Sequence, residues 1–390
     1  MNEVQWLAEL RKSLPVTERC VYLQTGSLGP LSRPVLQALH DAEELAASEG
    51  PAATPGLMPL VEASERARTA LAELLNIAPN ELCWSLNTST AMRTVIHSLR
   101  LTSADRLITS DQEHVATRSL YNGLRDEINL PTLLVNSECS DADFLSRLEH
   151  VLRQPSQGRK LLLLSHVSCI DGRILPVAEA VKLARQVDAI SLIDGAQAVG
   201  QIPVDLSALG ADFYIGSGHK WLLGPSGIGY IHINQDRLAN FNPNWLPNKD
   251  RQNASAATLG EAGTTNLAQR ASFQVALQTI QQIGMETVVD HCQQLAQQLR
   301  HGLRQLPGVT LLGPDKPERT TGLVGFTIAG YGVNECKQLV DRLYAEQRIL
   351  IKYQPEKCGL RVSIAAFNSS SDVEQLLSAL KETFLYIQKV

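Results

Sequence analysis

Several features are scarce in this 390-residue sequence, and each absence excludes a class of protein. No apolar run approaches the roughly 20 residues that a membrane-spanning helix needs, so we expect no membrane partner. The net charge is −5 and basic residues form no run, which argues against nucleic acid as a partner. The N-terminus has no basic segment followed by an apolar one, so no signal peptide is expected.

The cysteines also lack a pattern. The seven are scattered along the chain, and no two have the C-x-x-C spacing that is common in metal and redox sites. An odd, unpatterned set in a chain of this length predicts free thiols in a reducing, cytoplasmic compartment. We therefore expect neither a disulfide framework nor a bound metal.

Two polar segments near the middle of the chain stand out against this background. Asp194 ends the apolar segment 189–193, and Lys220 follows the apolar segment 212–215 closely. Ligands of α/β proteins bind at the carboxyl ends of such strands. Alone, each residue is more typical of a strand end or a solvated surface. Together they suit pyridoxal 5′-phosphate (PLP), whose aldehyde links to a lysine amine and whose pyridinium nitrogen pairs with a carboxylate.

The surrounding motifs carry a family resemblance. Residues 194–233 contain D-x-A-Q, S-x-H-K and G-P-x-G-I-G in register. This segment resembles the signature of class V, fold-type I PLP enzymes, the cysteine desulfurase-like group, and weaker similarity runs from residue 22 to residue 367. The S-G-H-K sequence lacks the spacing of a nucleotide-binding P-loop.

The resemblance implies an α/β architecture, the PLP-dependent transferase-like fold. A large PLP-binding domain (16–264) would hold a mainly parallel, seven-stranded sheet. Residues 1–15 and 265–390 would form a small α+β domain, in keeping with their mixed strands and helices. Within the large domain, residues 50–59 are rich in proline and glycine, which predicts a loop before a helix at 60–75.

The family assigns cofactor contacts to several residues. Asp194 and Lys220 are joined by His114, which would stack on the pyridine ring and act as an acid or base. The phosphate ligands would be Thr88, Ser89, Ser217 and His219, with Thr264 reaching the phosphate of a second subunit. That last contact predicts a homodimer. The segment 87–90 opens a helix, where free N–H groups bind anions, although taken alone such a segment is more often an ordinary N-cap. Asn87 and Thr90 also depart from the family's G-A-T-E at this position.

Further positions concern the cofactor's phenolic oxygen and the substrate. The family pattern H-V-S-N ends here in Cys169, a weaker donor than asparagine, so Gln197 would carry more of the contact to that oxygen. Arg361 matches the arginine that binds the substrate carboxylate through its two-pronged guanidinium. Gly26 and Ser27 would border the same end of the substrate, although an ordinary turn explains them equally well.

The reaction depends on a missing loop. Cysteine desulfurases carry a nucleophilic cysteine on a loop before the matching arginine, and the interval between Ile351 and Arg361 is too short for it. The chain therefore most resembles the L-cysteine/cystine C–S lyases, which form pyruvate, ammonia and a persulfide or sulfide by β-elimination. Such a product would feed a sulfur-acceptor protein in iron–sulfur cluster assembly. The alternatives are a desulfurase that uses an unaligned thiol such as Cys358, and a catalytically idle sulfur-transfer partner.

Overall fold

The computed structural model describes residues 3–240, 255–259 and 263–387. Within these ranges the helices, in chain order, are α1 (Glu3–Ser13), α2 (Arg33–Glu49), α3 (Thr54–Leu74), α4 (Thr88–Leu99), α5 (Val115–Ile128), α6 (Asp141–Arg153), α7 (Val177–Gln186), α8 (Leu206–Leu209), α9 (Ala256–Leu259), α10 (Leu267–Ile283), α11 (Met285–Arg304), α12 (Val333–Gln347) and α13 (Ser370–Ile387). In this part of the chain, none of the helices combines the length and the apolar character needed to cross a bilayer.

The strands of the same ranges alternate with these helices over most of the chain. They are β1 (Val21–Tyr22), β2 (Leu82–Ser85), β3 (Arg106–Ser110), β4 (Thr132–Val135), β5 (Lys160–Ser165), β6 (Ile190–Asp194), β7 (Phe213–Ser217), β8 (Gly229–Ile233), β9 (Val309–Leu311), β10 (Leu323–Ile328), β11 (Ile349–Leu350), β12 (Lys352–Gln354) and β13 (Gly359–Ser363).

A seven-stranded sheet forms the centre of the molecule. Its order is β2-β8-β7-β6-β5-β3-β4, and of these strands only β8 runs against the others. Helices cover both faces, with one apolar cluster on each side, which explains why the central strands read as continuous apolar runs. The expectation of an α/β fold with a mainly parallel sheet is confirmed.

The C-terminal part has its own sheet and core. Strands β12, β13, β10 and β9 form an antiparallel sheet, whose apolar side packs with α11, α12 and α13. Strand β1 pairs with β11, so the segment around Val21 packs with the C-terminal part although we expected it in the large domain. The division into residues 16–264 and the remainder stays a prediction.

The predicted loop over residues 50–59 was wrong for its second half, because α3 already begins at Thr54. Pro55 falls in the first turn, where a helix needs no N–H donor, so the ring is compatible with helix. Gly56 is required by a close approach, since a Cβ atom there would lie 2.3 Å from the carbonyl oxygen of Gly50. Pro59 lies inside the helix, at a cost that tertiary packing of α3 against α10 and α2 offsets.

The sheet brings distant polar residues to one edge. Strands β5, β6 and β7 are neighbours, and they end in Ser165, Asp194 and Ser217. All three side chains are buried. Because parallel strands end at the same edge, residues up to 52 positions apart in sequence are brought together there.

Two glycines give opposite predictions for stability. Gly216 lies opposite Tyr230 in the pairing of β7 with β8, and a Cβ atom there would lie 2.3 Å from the tyrosine ring. Gly216→Ala should lower the free energy of unfolding by about 1–3 kcal/mol through overpacking. Gly123 is exposed within α5 with open space around it, so Gly123→Ala should raise that free energy by about 0.5–1 kcal/mol. Urea denaturation measures both, and equal midpoints for the two variants would contradict the packing argument.

Candidate active site

One cavity of about 590 Å³ lies at the carboxyl edge of the large sheet. All the predicted site residues except Thr264 line it. They are Gly26, Ser27, Thr88, Ser89, His114, Cys169, Asp194, Gln197, Ser217, His219, Lys220 and Arg361. Thr264 is exposed and does not line the cavity, so within one chain it is separate from this set. Their individual roles stay predictions.

Asp194 and Lys220 both line the cavity, and the two side chains form no ion pair with each other. Asp194 Oδ1 accepts the Ala196 N–H at 2.9 Å, and among the described residues Oδ2 has no donor. Burial raises the pKa of this carboxyl, while the Ala196 hydrogen bond and the charge of Lys220 act against the rise. Burial lowers the pKa of the Lys220 amine, opposed by the charge of Asp194. A carboxylate and an amine are therefore buried in one cavity, and neither has a partner of opposite charge within ion-pair distance among the described residues.

The N-terminus of α4 forms one end of the cavity. Asn87 caps the helix, because its side chain accepts the Thr90 N–H at 2.8 Å. Ser217 Oγ accepts the Thr88 N–H at 3.1 Å and bonds the Thr88 hydroxyl, which joins α4 to the end of β7. The departure from the family pattern at Asn87 thus supplies the cap. In the described chain Ser89 keeps both its N–H and its hydroxyl unpaired, as an anion site requires.

His114 presents a neutral ring to the cavity. Its Nδ1 accepts the Ala116 N–H at 3.1 Å as the N-cap of α5, so the neutral ring carries its hydrogen on Nε2. Burial, followed by the charges of Lys220, Lys352 and Arg361, lowers the pKa of His114 to about 4. Near neutral pH the free nitrogen is therefore a hydrogen-bond donor, and His114 is not poised to accept a proton.

The amide of Gln197 is fixed by two contacts. Its Nε2 donates to the carbonyl of Gly26 at 2.9 Å, and its Oε1 accepts the Trp221 indole N–H at 3.0 Å. One N–H of the amide remains for a ligand in the cavity. Cys169, the other residue expected at the phenolic oxygen, lines the same cavity, and burial raises the pKa of its thiol.

Arg361 lines the same cavity from strand β13. Its Nη1 donates to the carbonyl of Cys169 at 2.8 Å and its Nη2 to Ser27 Oγ at 3.0 Å. The side chain is only 2% exposed, and its Nε has no partner among the described residues. A buried guanidinium without a carboxylate partner is a site for an anion.

Two residues of the site were missed from the sequence. Lys352 lies opposite Arg361 in the pairing of β12 with β13 and also lines the cavity. Glu113 is 1% exposed and lies behind the cavity wall at the ends of β3 and β5. Nothing in the sequence distinguishes Lys352 from a surface lysine, because only the hairpin aligns it with Arg361. Glu113 had a signal, since it directly precedes His114.

The residues present fit PLP. The α4 terminus offers donors for a phosphate. Asp194 Oδ2 has no donor among the described residues and could accept one from a cationic ring nitrogen. The amine of Lys220 makes no hydrogen bond or ion pair with the described residues. Fold and cavity together define a PLP-dependent enzyme. The aminotransferase class-V family model matches residues 22–376, and the chain belongs to this family.

Relatives within the family differ in activity. The chain is 28% identical to isopenicillin N epimerase of Streptomyces clavuligerus, with 95% of this chain and 97% of that protein covered. It is 27% identical to the cysteine desulfurase of Yersinia pseudotuberculosis, with 81% of each covered. A structure of the cystine C–S lyase C-DES with its reaction product cysteine persulfide is similar at a TM-score of 0.85 and 26% identity, covering 95% of this chain and 99% of that one.

Lys220 is predicted to be the lysine that links to PLP. Borohydride reduction of the PLP-loaded protein should fix a pyridoxyl group on the peptide that contains Lys220, detected by mass spectrometry. Lys220→Ala should abolish this label and reduce turnover by several orders of magnitude. Lys352→Ala, the matched control, removes a second lysine that lines the cavity and should leave the label in place. A label that survives in Lys220→Ala would contradict the assignment.

Proposed function

We propose that this enzyme is a C–S lyase that cleaves L-cystine by β-elimination. Cystine and water give pyruvate, ammonia and cysteine persulfide, and L-cysteine is a poorer substrate that gives hydrogen sulfide. The cystine C–S lyase among the similar structures supports this reaction, whereas the epimerase and desulfurase relatives point elsewhere in the same family. The choice therefore depends on what the cavity contains.

The observation that carries the proposal is the tight connection between β12 and β13. Only residues 355–358 join the two strands, so no loop here is long enough to bring a thiol to the substrate. Cys358 lies in this turn, exposed, and does not line the cavity. Of the cysteines that the structure describes, Cys169 alone lines it, and burial raises the pKa of that thiol, which disfavours the nucleophilic thiolate.

The proton transfers fall to Lys220. When bound, PLP withdraws electrons from Cα of the amino acid, which makes the α-proton acidic and lets a β-substituent leave. The lowered pKa of the Lys220 amine favours its uncharged form, which can accept that proton. His114, with its hydrogen on Nε2, is suited to donate a hydrogen bond to the departing sulfur. Asp194 would pair with the ring nitrogen of bound PLP.

Two cations favour a substrate with two carboxylates. Arg361 binds the α-carboxylate next to the reacting carbon. Lys352 lies beside it on the neighbouring strand, and its side-chain amine makes no hydrogen bond or ion pair with the described residues. Burial, and then the charge of Arg361, lower the pKa of Lys352. An anion bound between the two cations would offset both the lost solvation of Lys352 and its repulsion by Arg361. Cystine has a second carboxylate on its distal half, and cysteine does not.

The partners follow from the same cavity. We propose a homodimer, in which Thr264 of each chain reaches the other chain's phosphate site. Three apolar residues at or beside the cavity mouth support a covering partner, because Leu28, Leu86 and Val115 are 44%, 57% and 51% exposed. A sulfur-acceptor protein for iron–sulfur cluster assembly rests on the chemistry of the persulfide alone. The cytoplasmic location stays a prediction from the free thiols.

The reaction is tested by following sulfur. Cys358→Ala should keep at least half of the wild-type rate of pyruvate formation from cystine, because its thiol takes no part. Cys169→Ser should bind PLP a few-fold more weakly and still catalyse elimination. Mass spectrometry of the enzyme during turnover should find no persulfide on the protein, while cysteine persulfide accumulates in solution.

Three outcomes would contradict the lyase. A stoichiometric sulfur adduct on Cys358, lost with activity in the alanine variant, would make the enzyme a desulfurase. Exchange of the α-proton with inversion and without pyruvate would make it an epimerase. PLP binding without any turnover of cystine or cysteine would support the idle sulfur-transfer partner.

The role of Lys352 predicts a change in substrate preference. Lys352→Met keeps the length of the side chain and removes its charge, so KM for cystine should rise about tenfold while KM for cysteine changes little. Lys357→Met is the matched control, because Lys357 pairs with Glu138 at the surface, outside the cavity. Steady-state kinetics with both substrates decides. An equal rise of KM for cystine and cysteine would contradict a distal carboxylate site.

A further inference from the structure

Glu113 is a buried carboxyl that the proposed chemistry does not use. Its Oε1 accepts the hydroxyl of Ser110 at 2.7 Å and the N–H of Ser165 at 3.1 Å. Its Oε2 accepts a single hydrogen bond, from the hydroxyl of Ser165 at 2.6 Å. The carboxyl thus joins the ends of β3 and β5 behind the cavity wall.

Ser165 connects this carboxyl to the cofactor site. It lines the cavity, and it lies opposite Asp194 in the parallel pairing of β5 with β6, so the two side chains share one face of the sheet. The hydroxyl of Ser165 has one hydrogen, which the ionised Glu113 occupies. While that bond is made, Ser165 has no hydrogen to donate toward Asp194 or toward a bound ligand.

We propose that Glu113 is a positioning residue whose proton decides whether the Ser165 hydroxyl donates into the PLP site. When Glu113 is ionised, Ser165 donates to Oε2. When Glu113 is protonated, Oε2–H donates to Ser165 Oγ, and the hydrogen of Ser165 is free to turn into the cavity, where it would meet a bound cofactor. Ser110 and the Ser165 N–H bond Oε1 in both states, so only this one hydrogen changes direction.

Both states are accessible near neutral pH. Burial raises the pKa of Glu113 to about 7, although its three hydrogen-bond donors act in the opposite direction. The titratable groups that face Glu113 do not account for a titration near pH 7. Asp194 on β6 adds negative charge, which raises the pKa of Glu113 further. Burial raises the pKa of Tyr121 on α5 and of Cys169 after β5, so both stay neutral, and His114 titrates only at about 4.

The proposal has a definite sign. A protonated Glu113 gives the cofactor site one more donor, so PLP should bind more tightly below the pKa of Glu113 and lose that contribution as the pH rises through it. The proposal concerns cofactor binding and does not depend on which bond the enzyme breaks. Its failure and that of the lyase reaction are therefore separable.

The test measures the dissociation constant of PLP by fluorescence from pH 5.5 to 8.5. At each pH the constant of a variant is divided by that of the wild type, so that the titration of PLP itself cancels. Glu113→Gln keeps the donor to Ser165 Oγ and the acceptor for Ser110 at every pH. Its dissociation constant should equal that of the wild type at low pH and be about fivefold lower at high pH, the effect of one hydrogen bond. The midpoint of this change should lie near pH 7.

Two serine variants separate the relay from a structural role. Ser165→Ala should bind PLP about fivefold more weakly than the wild type at low pH and equally at high pH. Ser110→Ala removes a donor to the ionised carboxyl, so the step should remain and its midpoint should move to higher pH. A pH-independent ratio of wild type to Ser165→Ala overturns the proposal, even if Glu113→Gln fails to fold. An unchanged step in Glu113→Gln also overturns it.

Discussion

Burial of charge at the carboxyl ends of parallel strands is the constraint on which this structure depends. The strand ends bring Asp194, Ser165 and Ser217 together in an interior that disfavours every ionised group. The pKa of Asp194 rises and that of Lys220 falls for the same reason, which is burial. The two groups do not pair with each other. A ligand that carries both an aldehyde and a basic nitrogen would give each of these poorly solvated groups a partner, which favours its binding.

The C-terminal sheet completes this site from the other side. Arg361 holds the carbonyl of Cys169, and Gln354 donates to the carbonyls of Cys169 and Ile170, at 2.6 Å in the second case. The loop after β5 is thereby tied to the hairpin of β12 and β13. If Arg361 binds the substrate carboxylate as proposed, the substrate would contact a residue already tied to the loop after β5, and these shared contacts would help to align it with the cofactor.

Departures from the family pattern have local explanations. Asn87 replaces the family glycine and caps α4, which leaves the donors of Ser89 available. Cys169 replaces an asparagine, and its backbone carbonyl keeps the structural contact with Arg361 whatever its side chain is. Gln197 is held rigidly by Trp221 and Gly26, so one well-oriented donor remains where the family has two. These substitutions leave the cavity intact and alter the strength of single contacts.

The sequence by itself determined the alternation of apolar strands and helices, the position of Asp194 and Lys220 at strand ends, and the family. These features can be predicted from short sequence segments, because apolar periodicity and motif spacing are properties of consecutive residues. The helical start of α3 at Thr54 was missed, since packing against α10 outweighs the local preference of proline and glycine. Only the tertiary structure decided that Lys352 faces Arg361 and that Glu113 bonds Ser165, 52 residues away. Such pairings depend on register and burial between distant segments, and no pattern along the chain records them.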